Sequence, residues 1–284
     1  MWWREAAKRA AKAGVRALGY DVTRVAPDES ERLYAGFARE VLERRLFFNF
    51  GAGTFRHRYW TNIDYPSEGY AEVQSAPFIA YDATTLAPLP LPTGAAEAFY
   101  CSYAIEHLPR DAVENVVREA SRCLRPGGFL RIVTPDAELE YRAYRRGDRE
   151  FFKSCFWATD NLLAGVSLDR VFLNHVASEI CQIRPAPDAP PQVTNAEIVE
   201  TFATMPMDAA LDHFTSRCHY DPKRPGAHMM WWSDRKLIAL VEAAGFSAVY
   251  RSGCGQSLCP PMREHPHFDP IDRRGYSLYI EAIK

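Results

Sequence analysis

The chain has 284 residues, of which 47% are apolar and 13% aromatic, enough to bury a sizeable core and to exclude a disordered chain. Its formal charge of −2, with no basic run, excludes general electrostatic attraction to a phosphate backbone, so no nucleic-acid partner is expected. Seven cysteines without repeated spacing, an odd number, suit a reducing compartment, and no apolar stretch approaches the ~20 residues of a spanning helix. The expectation is a cytoplasmic protein without a secretory leader or integral membrane association.

The first 24 residues carry six Lys/Arg against two Asp/Glu and put Trp3, Ala7, Ala10 and Leu18 on one face of a helix. Residues 1–40 are thus expected to form an N-terminal helical segment. Its mostly alanine face suits packing on the body or on a second copy in a homodimer, ahead of weak peripheral contact with anionic headgroups. Leu46 to Phe50 is a short apolar run ending in a glycine turn, as a buried parallel strand requires. Further strands are predicted at Tyr59 to Asp64, Phe78 to Tyr81 and Ala98 to Tyr103. Apolar residues at 112, 116, 117, 120 and 124 then mark a helix capped by Asp111 and stopped by Pro126-Gly127-Gly128.

Phe129 to Val133 reads as a fifth strand. Strands and helical patterns alternate as in a parallel sheet covered by helices, which binds ligands at the carboxyl ends of its strands. From Ala137 to Trp232 that rhythm is replaced by aromatic residues, helical fragments and the Pro-rich run Pro185 to Pro191. It resumes with a helix from Ser233 to Ala244 ended by Gly245, a strand near Ala248 to Arg251 and a last strand from Tyr276 to Ile283. The division is a core of 41–136 plus 233–284 and an insertion of 137–232, read as a mostly helical substrate lid between strands five and six.

Chemistry-bearing residues gather at predicted strand ends. In FNFGAGTF, Gly51 and Gly53 let backbone N–H groups approach a ligand, though a Gly-x-Gly alone is more often a tight turn. Asp64, ending the second strand, is placed to accept both hydroxyls of a ribose; Asp82, after the third, is placed to accept from an exocyclic amine, with the amides of Ala83 and Thr84 beside it. Either aspartate alone is as well explained as a turn or helix cap. Glycine turn, Asp and Asp on three consecutive strand ends are harder to explain that way.

With WTNIDY at 60–65, YDAT at 81–84, YCSYAIEHLP at 100–109 and LRPGGFLRIVTPD at 124–136, the chain resembles the class I S-adenosylmethionine-dependent methyltransferases. The similarity is to the branch with an Asn-x-Asp second strand and a Glu-His pair after strand four. It implies a doubly wound α/β, Rossmann-like seven-stranded sheet and S-adenosyl-L-methionine as cofactor, with S-adenosyl-L-homocysteine as product. It further implies that Gly51 and Gly53 face the methionine portion, Asp64 the ribose, Asp82 and Ala83 the adenine, and Ser102 and Tyr103 the sulfonium and acceptor. Phe50, Ala52, Tyr65 and Thr84 complete the implied cofactor-binding set. The chain departs from the branch at Ala52, where Cys or Ser is common, and at Tyr103, where His is common, which puts a base at 103 in doubt.

His107 is the candidate base, because imidazole titrates near neutrality, and Glu106 the residue to orient it or to bind a substrate hydroxyl; the bland alternative is that the pair starts a loop and holds backbone groups. The catalytic set is completed by Tyr103 and by His228, which precedes MMWWS at the expected rim. Asp136, Tyr141, His175, His213 and His219 are further insertion candidates, more simply structural. Cys254, Cys259, His265 and His267 fall close together but match no standard zinc spacing, so no metal is predicted. The expected function is O-methylation of a sugar, glycan intermediate or related hydroxylated acceptor. The glycan preference rests on similarity to enzymes of surface-polysaccharide assembly. Alternatives are a natural-product or other small-molecule O/N-methyltransferase, a catalytically silent cofactor-binding subunit, and, at fold level, a dehydrogenase.

Overall fold

The structure is a computed structural model that describes residues 15, 29–66, 77–155, 159–183, 192–264, 266–269 and 272–284. The expected N-terminal segment through residue 28, apart from Val15, the Pro-rich run and His265 lie outside the described residues.

Seven strands, β1 (Phe47–Phe50), β2 (Trp60–Asp64), β3 (Phe78–Ala80), β4 (Ala96–Ser102), β5 (Leu124–Pro135), β6 (Ala248–Arg251) and β7 (Ser277–Ile283), form one sheet in the order β3-β2-β1-β4-β5-β7-β6. β1 to β5 pair in parallel, and β7 is antiparallel to both β5 and β6. The chain starts in the middle with β1, runs outward to β3, then returns across β1 to β4. This places a topological switch point between β1 and β4, with the carboxyl ends of β1 to β4 along one edge.

Alternation along the strands assigns the two faces. Phe48, Phe50, Ile63, Phe99, Cys101, Leu130, Ile132, Leu278 and Ile280 pack on α3 (Arg110–Cys123) and α10 (Asp234–Ala243), the latter capped by Ser233. Each large apolar side chain buried there contributes about 1.5–3 kcal/mol. Phe47, Trp60, Tyr100, Val133 and Tyr279 face the other way, onto Leu33 and Tyr34 of α1 (Glu29–Tyr34), Val41 and Leu42 of α2 (Arg39–Glu43) and the loop residues Cys259, Met262 and Phe268. That loop is pinned by Arg131, fully buried on β5, which pairs with Asp269 and Glu281. The link from β1 to β2 contains no helix: Phe55, His57 and Tyr59 cover the sheet there as aromatic rings.

Two expectations about α3 are corrected. It begins at Arg110 behind Pro109, and Asp111 lies inside the first turn, its carboxylate accepting from Ala112 N–H at 2.8 Å rather than capping. A proline pre-set near helical φ needs no side-chain cap, and an acidic residue in the first turn still complements the helix dipole. Nor does Pro126-Gly127-Gly128 stop the helix. The chain turns extended at Leu124, and these residues lie within β5, where the register with β4 shifts between Ala96 and Ala98. At Gly128 a Cβ would meet the Arg125 carbonyl oxygen at 2.9 Å.

Between β5 and α10 the chain forms α4 (Ala137–Arg145), α5 (Arg149–Lys153), α6 (Asp160–Leu163), α7 (Leu168–Ala177), α8 (Asn195–Thr204) and α9 (Met207–Thr215). Their buried residues, Phe152, Phe172, Phe202 and Phe214 among them, make a hydrophobic cluster distinct from the sheet's two. The ends of this excursion meet where Ala137 N–H donates to the Trp232 carbonyl at 3.2 Å. Trp231 packs into the helical cluster and Trp232 into the sheet core.

Candidate active site

The glycine turn follows directly from β1. Gly51 and Gly53 have φ of +63° and +51°, the left-handed region that favours glycine. A Cβ on Gly51 would lie 2.3 Å from Ala104 Cβ, so β1's turn and the segment after β4 close on each other only because that side chain is missing. At Gly53 an added Cβ meets nothing within 4 Å: the turn there borders open space.

Asp64 closes this turn from the next strand. Its Oδ2 accepts from Gly53 N–H at 2.9 Å and its Oδ1 from Tyr65 N–H at 2.7 Å. Burial raises the Asp64 pKa above its ordinary value, against the lowering effect of these amides. Asp82 caps a 3-10 turn, Ala83–Thr85, its Oδ1 accepting from both the N–H and the hydroxyl of Thr84 at 2.9 and 2.6 Å. Thr84 therefore aims Asp82 rather than lining the cleft.

Phe50, Gly51, Gly53, Asp64, Tyr65, Asp82, Ala83, Tyr103 and His107 line one cleft of about 210 Å3 at the carboxyl edge of the sheet. Ala52, Thr84 and Ser102, expected in the same set, are outside that lining. Ala52 is buried beneath the turn, and Ser102 shares a sheet face with Tyr100, two residues earlier on the same strand. Sequence reasoning missed Tyr81, Ala104 and Leu108, which accompany the motifs, and Tyr220, Pro225 and Gly226, which reach the cleft from the insertion. The first three were open to discovery as neighbours of motif residues; the last three carry no local signal.

Tyr103 sits at the end of β4 with φ +52°, a strained value for a bulky residue and one typical of functional sites. Its ring lines the cleft, but its hydroxyl is 2.6 Å from Ser277 Oγ, which in turn donates to the Arg273 carbonyl, and the Arg273 guanidinium stacks on the ring at 4.3 Å. Burial pushes the phenol pKa far up. In this structure the Tyr103 ring is a wall of the cleft and its hydroxyl is engaged by Ser277.

Glu106 and His107 occupy a 3-10 turn, Ile105–His107. His107 faces the cleft, whereas Glu106 is only 1% exposed and faces an inner chamber beside Thr134, Glu140, His175 and His228. Glu106 Oε2 accepts from the Thr134 hydroxyl at 3.1 Å, and Oε1 lies 3.9 Å from His107 Nε2 with no hydrogen bond. Burial raises the Glu106 pKa, opposed by His107. The His107 and His228 rings meet edge to face at 4.7 Å, so His228 lies behind His107 rather than on the cleft lining.

The other insertion candidates are structural in placement. Asp136 caps α4 and pairs with Arg251; Tyr141 packs on Tyr144, Phe172 and Phe202; His175 binds Glu140 at 2.6 Å. His213 stands 4.0 Å from Glu197 on α9, and the backbone of His219 donates to Glu179. Cys259 is fully buried, Cys254 contacts the Asp269 carbonyl, and His267 meets the His57 ring edge to face.

Residues 55–132 match the family described as Methyltransferase domain. A search of curated proteins finds no match. Among solved structures, a S-adenosylmethionine-dependent methyltransferase of Thermotoga maritima, described as a possible histamine N-methyltransferase, is 17% identical, with 90% of this chain and 95% of that one covered and a TM-score of 0.40. A S-adenosylmethionine-dependent methyltransferase of Mesorhizobium loti is 14% identical, covering 89% and 96%, with a TM-score of 0.41. PigF with SAH is 10% identical, covering 84% and 50%, with a TM-score of 0.39.

The strand order, with the cleft on the carboxyl edge and the domain match across β2 to β5, defines a Rossmann-like methyltransferase fold. Residues 55–132 of this chain are thus similar to a methyltransferase domain.

Proposed function

We propose that the enzyme methylates a hydroxyl oxygen of a sugar, glycan intermediate or similar hydroxylated small molecule, held between the cleft and the 137–232 insertion acting as a lid. The observation that carries this reading is the meeting, in one cleft, of the Gly51–Gly53 turn and two strand-end aspartates with His107 and the aromatic Tyr103 and Tyr220.

The residues present fit the cofactor. Two lone-pair sites of the Asp64 carboxylate are taken by amides, leaving others for a pair of ribose hydroxyls. The open space beside Gly53 is the room a side chain would remove. Asp82 is aimed by Thr84 to accept from an adenine amine, next to Ala83 and Tyr81. Bound S-adenosylmethionine supplies the methyl group as an electrophile on a sulfonium.

The protein's tasks are then alignment and handling of one proton. Positioning reacting groups contributes up to about 7–11 kcal/mol. An alcohol keeps its proton at neutral pH, so a hydroxyl acceptor needs a group to receive or displace it. His107 is the titratable side chain on the acceptor side, with Glu106 behind it. Tyr65 and Tyr220 supply apolar ring surface with polar tips, suited to a sugar's mixed faces.

The test is calorimetric titration with S-adenosylmethionine and S-adenosylhomocysteine, wild type against Asp64→Ala, followed by an acceptor screen beginning with sugars. One-to-one binding weakened by the substitution, with turnover of a hydroxylated acceptor, is the expected result. No binding to folded protein overturns the reading; binding without turnover across the screen identifies a silent subunit, and turnover of amines only moves the reading to N-methylation.

A further inference from the structure

We propose that Glu106, His107 and His228 form a binding site for a divalent transition-metal ion of the zinc type at the inner end of the cleft. One ring nitrogen of each histidine and a carboxylate oxygen of Glu106 lie within 4.8 Å of one another. Tetrahedral coordination at about 2.0–2.2 Å holds ligand atoms roughly 3.3–3.6 Å apart, so side-chain adjustments of an ångström or so close the site.

The hydrogen bonds around the cluster decide which atoms are available. His107 Nδ1 lies 3.2 Å from the Ala227 carbonyl and His228 Nδ1 is hydrogen-bonded to the His175 carbonyl. A carbonyl only accepts, so each Nδ1 carries the proton and each neutral ring presents a lone pair on Nε2. Glu106 Oε1, buried and without a hydrogen bond, faces His107 Nε2 at 3.9 Å. Glu106 Oε1 and His107 Nε2 thus meet without a donor between them, with a ring nitrogen of His228 within 4.8 Å, an arrangement that a cation relieves. Metal-bound histidines characteristically donate their other N–H to a carbonyl or carboxylate, as both do here.

The surroundings also match. Thr134 holds the second Glu106 oxygen, and Glu140 grips His175, whose carbonyl orients His228. The neighbouring segment is tied down by Met229 and Met230 N–H groups donating to the Glu106 carbonyl at 2.9 and 3.2 Å, and by His228 N–H donating to Ser178 at 2.8 Å. Two imidazoles and one carboxylate leave a coordination position open, the pattern of catalytic zinc and non-haem iron sites. By contrast, in the cluster of His57, Glu264 and His267 the carboxylate is already engaged at both oxygens, by Ser30 and His57.

Metal binding itself does not depend on the cofactor; with the ion bound, His107 Nε2 is a ligand in place of the base role given to it above, and the ion's own role, polarising an acceptor hydroxyl and lowering its pKa, rests on the function proposed above. The experiment uses the full chain, stripped with a chelator and titrated with Zn2+ by calorimetry and with Co2+ by visible absorption, with circular dichroism confirming the fold. The expected result is one ion per chain, a cobalt spectrum of a low-symmetry site, and at least 100-fold weaker binding in Glu106→Gln and His228→Ala. His107→Ala serves if a buried variant fails to fold, because His107 reaches the cleft surface. Asp64→Ala should bind metal like wild type. Absence of binding by folded wild type overturns the inference, as does unchanged affinity in the ligand variants or loss of binding in His267→Ala alone. S-adenosylmethionine binding by chelated protein that takes up no metal overturns this inference and leaves the methyltransferase reading intact; metal binding without S-adenosylmethionine binding does the reverse.

Discussion

The two halves of the cleft are built by different means. The half proposed for the cofactor consists of turns that leave three neighbouring parallel strands, with backbone N–H groups held by Asp64 and Asp82 within a few residues. The acceptor half is assembled across long sequence distances, from the 3-10 turn after β4 and from insertion residues near 220 and 228. Local hydrogen bonds shape the first; docking of one chain segment on another shapes the second. The cofactor half should therefore tolerate changes in the insertion, whereas the acceptor half should respond to both.

Substitutions at four positions sharpen or break that contrast. The largest effect is expected for His107→Ala, which should lower kcat by about 10²–10⁴-fold while leaving the Kd for S-adenosylmethionine within a few-fold. Steady-state kinetics beside calorimetry check it, and an equal loss of cofactor affinity would show that the halves are not separable. Gly51→Ala forces a left-handed alanine against Ala104, at about 2–4 kcal/mol, and should lower Tm and weaken cofactor binding together.

Asp64→Ala should weaken S-adenosylmethionine binding by about 1.5–3 kcal/mol, roughly 10–100-fold, with kcat at saturation little changed. The same carboxylate predicts a pH dependence. Its folded pKa is raised by burial, so wild-type affinity falls on acidification earlier than for an ordinary aspartate. Asp64→Asn should flatten that limb in a binding series across acidic pH. Tyr103→Phe is the smallest change: losing the bond to Ser277 should cost about 0.5–1.5 kcal/mol in a denaturant titration and leave the pH profile of kcat in place.

Most of the sheet was legible from periodicity, because buried parallel strands are short apolar runs bounded by glycine and aspartate. The strand ends at Phe50 and Asp64 and the strand Ala248–Arg251 agree with expectation to the residue. The end of α3 was not legible. Pro126-Gly127-Gly128 is a strong local stop signal, but β4 and the chain end at Lys284 offer hydrogen bonds that draw those residues into β5. That Gly51, Gly53, Asp64 and Asp82 would line one cleft was legible because each ends or follows a strand, and parallel topology brings those ends to one edge.

By itself, then, the sequence determined the alternation of strands and helices, the glycine turn with its two aspartates, and the break in rhythm near Ala137. These depend on interactions over a few residues and on the period of burial. Tertiary structure alone decided that Tyr103 spends its hydroxyl on Ser277, that Glu106 turns inward while His107 turns to the cleft, and that His228 stands behind His107. Adjacent residues on a tight turn point in different directions, and partners over 100 residues apart leave no mark on local pattern. Which of these side chains reaches the ligand is set by how the insertion docks on the sheet edge.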